Sequence, residues 1–160
     1  MAWTASGLYA SALGSVLPQT SAINWNLGSN KFFLTSTSDT PLYSSTLTAG
    51  VYAVTNECTG TGWAAGGVAV SALAAGPASI SPNFTVTTGP PVILNWNASN
   101  VSVATTTIAT ATFGGYFYTL GFGGAKIIGI WFGGSGYTTS AGTFAITWSG
   151  GQICTFSLGG

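Results

Sequence analysis

Hydrophobic and polar positions change period early in this chain. Between Ser6 and Leu17, the residues Leu8, Tyr9, Ala12, Leu13, Val16 and Leu17 fall at the three-and-four spacing of one helical face. Ser6 stands where a cap belongs and Pro18 where the helix would stop, although Gly7 and Gly14 each cost about 1 kcal/mol against alanine in a helix interior. The pattern predicts a short N-terminal helix within an arm over 1–20, followed by one β domain over 21–160.

From Ile23 onward the apolar runs are short and punctuated by Gly, Asn, Pro and Ser, which is the sequence signature of strands and tight turns. A hairpin-like pair is expected at Ile23–Trp25 and Lys31–Thr35 around Leu27–Asn30. A surface loop is expected from Ser36 to Gly50, a short ordered piece at Val51–Val54, and a glycine-rich segment at Thr59–Gly67. Further strands are expected at Val68–Leu73, Ser79–Thr87, Val92–Trp96, Val101–Thr112, Tyr116–Phe122, Lys126–Phe132, Thr143–Trp148 and Gln152–Leu158. Regular spacing of this kind predicts a mainly β fold, an antiparallel sandwich or barrel-like single domain. Phe-Gly-Gly recurs at 113–115, 122–124 and 132–134, and is read as turn punctuation because tight connections favour residues that tolerate positive φ. Phe144, Ile146 and Trp148 alternate with Thr143, Ala145 and Thr147, as in a half-buried strand, whereas Ile127–Phe132 is apolar on both faces and implies a covered or central strand.

Charge alters the picture most. Only 2% of the residues are charged, against about 25% in an ordinary soluble domain. The inventory is Lys31, Asp39, Glu57 and Lys126, with no arginine or histidine. Two lysines cannot form the basic stripe that nucleic acid requires, nor a polybasic segment for anionic lipid. Every apolar run is interrupted well short of the roughly 20 residues that span a bilayer as a helix, and no basic n-region opens the sequence, so neither membrane nor secretion is expected. A catalytic serine or cysteine lacks a histidine base, and Asp39 with Glu57 is the sole carboxylate pair. Zinc or calcium ligand sets cannot be assembled from these residues, and Gly60-Thr61-Gly62 with Gly66-Gly67 lacks the lysine of a phosphate loop. The expectation is a non-enzymatic protein without metal or cofactor. Cys58 and Cys154 are expected as free thiols, with a disulfide between them the alternative in an oxidising medium. The sequons at Asn83, Asn97 and Asn100 are read as chance in a Ser/Thr-rich chain.

A net charge near zero removes repulsion between copies, which suits a protein permanently surrounded by neighbours. Aromatic residues, 13% of the chain, are the material for such contacts. The expected interface residues are Trp3, Leu8, Tyr9 and Leu13 in the N-terminal arm, Trp63 in the glycine-rich loop, and Tyr116 and Tyr118 in a strand. Core filling is the rival role for the last two, and carbohydrate stacking on Trp63, Trp96 or Tyr137 a further one.

The segment Asn56-Glu57-Cys58-Thr59-Gly60-Thr61-Gly62-Trp63-Ala64-Ala65-Gly66-Gly67-Val68 resembles a stretch carried by a family of small tailed-phage virion proteins, Asn-Glu-x-x-Gly-x-Gly-aromatic followed by Gly-Gly. Gly136 to Trp148 is similar to that family's closing strand, and Leu8-Tyr9 and Ile23–Leu34 to its opening helix and first strand. The family's other members carry more charged residues in the first strand, the middle loop and the penultimate strand. The resemblance implies a virion structural protein of a tailed bacteriophage, assembled in the host cytoplasm. It implies a capsid decoration or cement protein that binds the major capsid protein or other virion proteins, as a homo-oligomer in the particle. The alternatives are a minor tail, baseplate or head-to-tail connector component, and a glycan-binding receptor-recognition module.

Overall fold

The computed structural model describes residues 5–10, 30–41, 43, 55–70, 79–81, 84–87, 91–119 and 126–158. These form β1 (Gly7–Leu8), β2 (Asn30–Thr35), β3 (Glu57–Cys58), β4 (Val68–Ala69), β5 (Ser79–Ser81), β6 (Phe84–Thr87), β7 (Val92–Asn97), β8 (Val101–Thr112), β9 (Gly114–Thr119), β10 (Lys126–Trp131), β11 (Tyr137–Ile146) and β12 (Gln152–Leu158). The protein is mainly β, and every strand pair is antiparallel.

Six strands make the first sheet, in the order β1-β10-β9-β2-β3, with β4 also on β2. Next to one margin lies β2, paired along its whole length with β9 and shared on the other side by β4 at Lys31–Phe32 and by β3 at Leu34–Thr35. Both margins of this sheet are therefore two-residue strands, which offer little template for unwanted strand pairing. A second sheet orders β12-β7-β6-β5, and a third is the long ribbon β11-β8.

Successive side chains on a strand point to opposite faces. Phe32 and Phe33 are adjacent and both fully buried, so the first sheet is covered on both sides. Phe32 packs against Phe117 of β9 at 4.8 Å between ring centroids and edge-on to Trp148 at 5.8 Å. Phe117 in turn meets Trp96 of β7 at 5.1 Å. On the opposite side, Phe33 meets Tyr116 at 5.3 Å and Tyr118 at 5.4 Å, both from β9. Tyr9 and Tyr43 complete this tyrosine-rich side, with Tyr9 5.3 Å from Tyr43 and 5.9 Å from Tyr116.

Several sequence expectations are met in outline. The strands at 92–96, 101–112, 126–132 and 152–158 fall on β7, β8, β10 and β12. The run expected at 79–87 is two strands, β5 and β6. The strand expected at Thr143 begins six residues earlier, at Tyr137. The helix expected from Ser6 is not seen: Gly7 and Leu8 are strand residues paired with Gly129 and Ile128. Glycine suits position 7, since a side chain there would sit 2.7 Å from the Tyr43 ring. Positions 11–17 of that helix lie outside the described residues, as do Ile23–Trp25, Val51–Val54 and Phe122–Gly124.

Phe-Gly-Gly does not serve one purpose. Gly133 and Gly134, with φ of 74° and 71°, make the turn from β10 to β11 as expected. Gly114 and Gly115 instead open β9. There the requirement is space, because a β-carbon on Gly115 would lie 2.4 Å from the Phe33 carbonyl oxygen and 2.5 Å from the Phe32 ring. Gly115→Ala is expected to lower stability by about 1–3 kcal/mol, the usual scale of overpacking. Urea denaturation of the two proteins side by side checks this, and coincident midpoints would show that the sheet yields at that position.

Candidate functional site

The ribbon β8–β11 is the longest strand pair and carries the most irregular ladder. Its register slips between Tyr137 and Thr139, between Thr139 and Gly142, and between Gly142 and Phe144. Thr105 and Ala141, which flank this region on the two strands, have positive φ of 56° and 50°, a conformation uncommon outside glycine. Threonine hydroxyls compensate for the interrupted backbone pairing. Thr139 Oγ1 accepts from the Ile108 amide at 3.2 Å, and Thr107 Oγ1 accepts from the Ala141 amide at 3.0 Å. The Thr106 hydroxyl donates within reach of Thr139 Oγ1 at 3.0 Å and of the Gly142 carbonyl at 3.1 Å. The bulged ribbon is thus splinted by side chains, and its outward positions, among them Ser102, Thr105, Thr110, Ser140 and Ala145, are exposed and uncharged.

Beside β11 lies a groove of about 630 Å³, lined by Ile130, Trp131 and Phe132 at the end of β10 and by parts of Tyr137–Trp148. Trp131 is 39% and Tyr137 49% exposed, the two exposed large hydrophobic residues among those described. Tyr137 stands edge-on to Phe132 at 6.2 Å, and the Trp131 amide donates to Ser6 Oγ at 2.8 Å. None of the four charged residues of the chain lines the groove.

The charged residues are engaged elsewhere, and three of them organise the tyrosine-rich side of the first sheet. The Tyr116 hydroxyl donates to Asp39 Oδ2. Lys126, only 7% exposed, holds its ammonium 4.3 Å from the centre of the Tyr116 ring and 5.9 Å from that of Phe33, a cation–π arrangement. Burial lowers the Lys126 pKa, and the negative charge of Asp39 acts in the opposite sense. Glu57 Oε1 accepts from the Gly66 amide at 2.8 Å, while the Tyr118 hydroxyl donates to the Gly66 carbonyl at 2.6 Å. Carboxylates and tyrosines together therefore tie the segments around Asp39 and Gly66 to the sheet.

The expected interface residues fall differently from the sequence reading. Tyr9, Trp63, Tyr116 and Tyr118 are buried within the chain, so their rings fill the interior of the folded protein rather than its surface. Trp63 packs edge-on to Phe144 at 5.3 Å, turning the glycine-rich loop inward, and its indole Nε1 has no hydrogen-bond partner among the described residues. Leu8 is half-buried on β1, and Trp3 and Leu13 lie outside the described residues. The described part of the expected N-terminal arm is therefore a strand followed by a core tyrosine. Of the residues considered for carbohydrate stacking, Trp63 and Trp96 are fully buried and Tyr137 is exposed. Trp131 was missed because the apolar run 127–132 reads as covered throughout, and no local signal separates its last indole from the buried residues before it. Cys58 and Cys154 are both free thiols, on different sheets.

Among the described residues, no three His, Cys, Asp or Glu side chains gather into a metal-binding group, and no helix is long and apolar enough to cross a membrane. Comparison with protein-family models, with curated proteins and with solved structures returns no match.

Burial gives the protein an alkaline limit. It pushes the pKa of Tyr9 up to about 12, that of Cys58 up to about 11 and that of Cys154 up to about 12, and it also raises Tyr43 and Tyr116. In each case the unfolded chain releases its proton first, so the folded state holds more protons and stability falls as pH rises. The contribution is intact below the ordinary thiol value of 9, and is lost progressively through 10, where unfolded tyrosine ionises, toward about 12. Burial raises Tyr118 as well, and Lys126 works in the opposite direction but is a single group against six. Urea midpoints are expected to fall steadily above about pH 9, with tyrosinate absorbance appearing together with unfolding. Midpoints unchanged up to about pH 11 would refute this assignment.

Proposed function

We propose that this chain is a β-sandwich structural protein of a tailed-phage particle, acting as a capsid decoration or cement protein that binds the major capsid protein and neighbouring copies of itself. The observation that carries the proposal is the uncharged outer face of the β8–β11 ribbon, set in a chain whose Asp39, Glu57 and Lys126 are occupied in internal contacts. A surface of hydroxyls and methyl groups offers no repulsion to a neighbour, and contacts made through it lose little when salt screens charge. The short margins of the first sheet protect it from uncontrolled pairing, which a protein concentrated on a shell requires. The resemblance of residues 56–68 and 136–148 to virion proteins adds support from the sequence.

The two places in a particle differ in stoichiometry. A shell protein is present at a copy for every few capsid subunits, whereas a minor tail, baseplate or connector component forms one small ring. Purified virions analysed by quantitative gel electrophoresis are expected to show the former, with the protein retained through a wash in molar salt. Release by moderate salt alone would argue against dry, uncharged contacts, a ring-level copy number would move the protein to the tail or connector, and absence from virions would end the proposal.

A further inference from the structure

An exposed indole beside an exposed phenol is unusual material for a surface with almost no charge. Trp131 and Tyr137 line the same groove and leave 39% and 49% of their surface in water, so covering that remainder is a gain open to an occupant. The chemistry of the lining narrows what that occupant is. Lys31, Asp39, Glu57 and Lys126 are all absent from it, so no charged side chain is there to pair with an ionic ligand. Thr138, Thr143 and Thr147 are exposed along the lining, and each hydroxyl can both donate and accept a hydrogen bond. A purely apolar ligand would leave those hydroxyls unmatched.

An extended peptide adding to the open edge of β11 is the obvious competitor. That mode needs a straight run of unpaired backbone groups, and β11 departs from regular pairing at three steps, with Ala141 in a left-handed conformation at the centre. Bulges of this kind are a recognised obstacle to edge pairing. What remains is a ligand with an apolar face for the rings and a rim of neutral hydroxyls for the threonines. That is the chemistry of a pyranose sugar.

We propose that the groove between the end of β10 and β11 binds neutral carbohydrate, with Trp131 and Tyr137 as stacking platforms and threonine hydroxyls along β11 as the polar contacts. The cavity of about 630 Å³ lies within the roughly 300–1,000 Å³ of small-molecule sites and accommodates a short oligosaccharide. Because the groove is open and the ligand strongly hydrated, binding is weak, with Kd on the order of 1 mM for a single chain. Many copies on one particle would raise the effective affinity without any new contact. The proposal does not depend on the particle assignment, since it concerns the isolated chain.

The test uses the full chain in solution with neutral gluco-, manno- and galacto-oligosaccharides, read by saturation-transfer NMR and by tryptophan fluorescence. At least one series is expected to receive saturation at its ring C–H protons. Trp131→Ala is expected to weaken binding about tenfold, and Tyr137→Ala to a similar degree, while Tyr137→Phe retains most of it. The exposure of both side chains predicts an unchanged fold, verified by circular dichroism and the urea midpoint. A shift from low to molar salt should leave affinity unchanged, and sialylated or sulfated probes should bind no better than neutral ones. No saturation transfer from any neutral series at millimolar concentration overturns the proposal. So does binding indifferent to Trp131→Ala in a folded variant, a preference for acidic glycans, or self-association abolished by Trp131→Ala, which would assign the groove to a second copy.

Discussion

Two neighbouring phenylalanines set the terms for this fold. Phe32 and Phe33 are adjacent on β2, must point to opposite faces, and are both fully buried. A sheet with such a strand cannot leave either face in water, so the chain has to provide two coverings. One is made of phenylalanine and tryptophan from β7, β9 and the end of β11. The other is made of tyrosines, with Asp39 and Lys126 set among them. The tyrosine side tolerates polar groups because each hydroxyl reaches toward the rim of the sheet, where Asp39, Ala5 and Gly66 accept from Tyr116, Tyr43 and Tyr118. The scarcity of charge is thus matched by its placement: Asp39 and Glu57 brace loops against the sheet, and Lys126 lies over its rings.

The fold was legible in the sequence where strands are long and speak for themselves. β8 and β12 have uninterrupted β-type runs, and their expected bounds coincide with those observed. β3 was not legible, because two residues carry no period and this strand exists only through pairing with β2, whereas β4 lies at the start of the strand expected at Val68–Leu73. The N-terminal helical pattern gave way to a strand at Gly7 and Leu8 because tertiary pairing with β10 outweighs local spacing. The site was harder still. Trp63, Trp96 and Trp131 look alike in sequence, and their exposure is decided by residues distant in the chain: Phe144 covers Trp63, Phe117 meets Trp96, and Trp131 closes β10 at the surface. Absence of charge was the part of the surface that composition alone revealed.

The β8–β11 ribbon shows how a neutral strand pair can stay distinct from the aggregating strands it resembles. Threonine and alanine in alternating runs, without charge or proline, are the composition of a segment prone to stacking with copies of itself. The left-handed residues Thr105 and Ala141 bend that ribbon, and the hydroxyls of Thr106, Thr107 and Thr139 take over the interrupted bonds. Here shape and bonding geometry oppose such stacking, where most proteins use repulsion.

The ring of Tyr43 lies against Gly7 and Gly129 at once. Those glycines belong to strands that pair across almost the whole polypeptide, so an element near one end waits for a partner synthesised more than a hundred residues later. Connectivity of this kind makes closure a late and slow event in folding. During translation the tyrosines on this side of the sheet have no lid until β10 has emerged and β1 docks on it, and the nascent protein passes through an interval of sticky, unshielded aromatic surface.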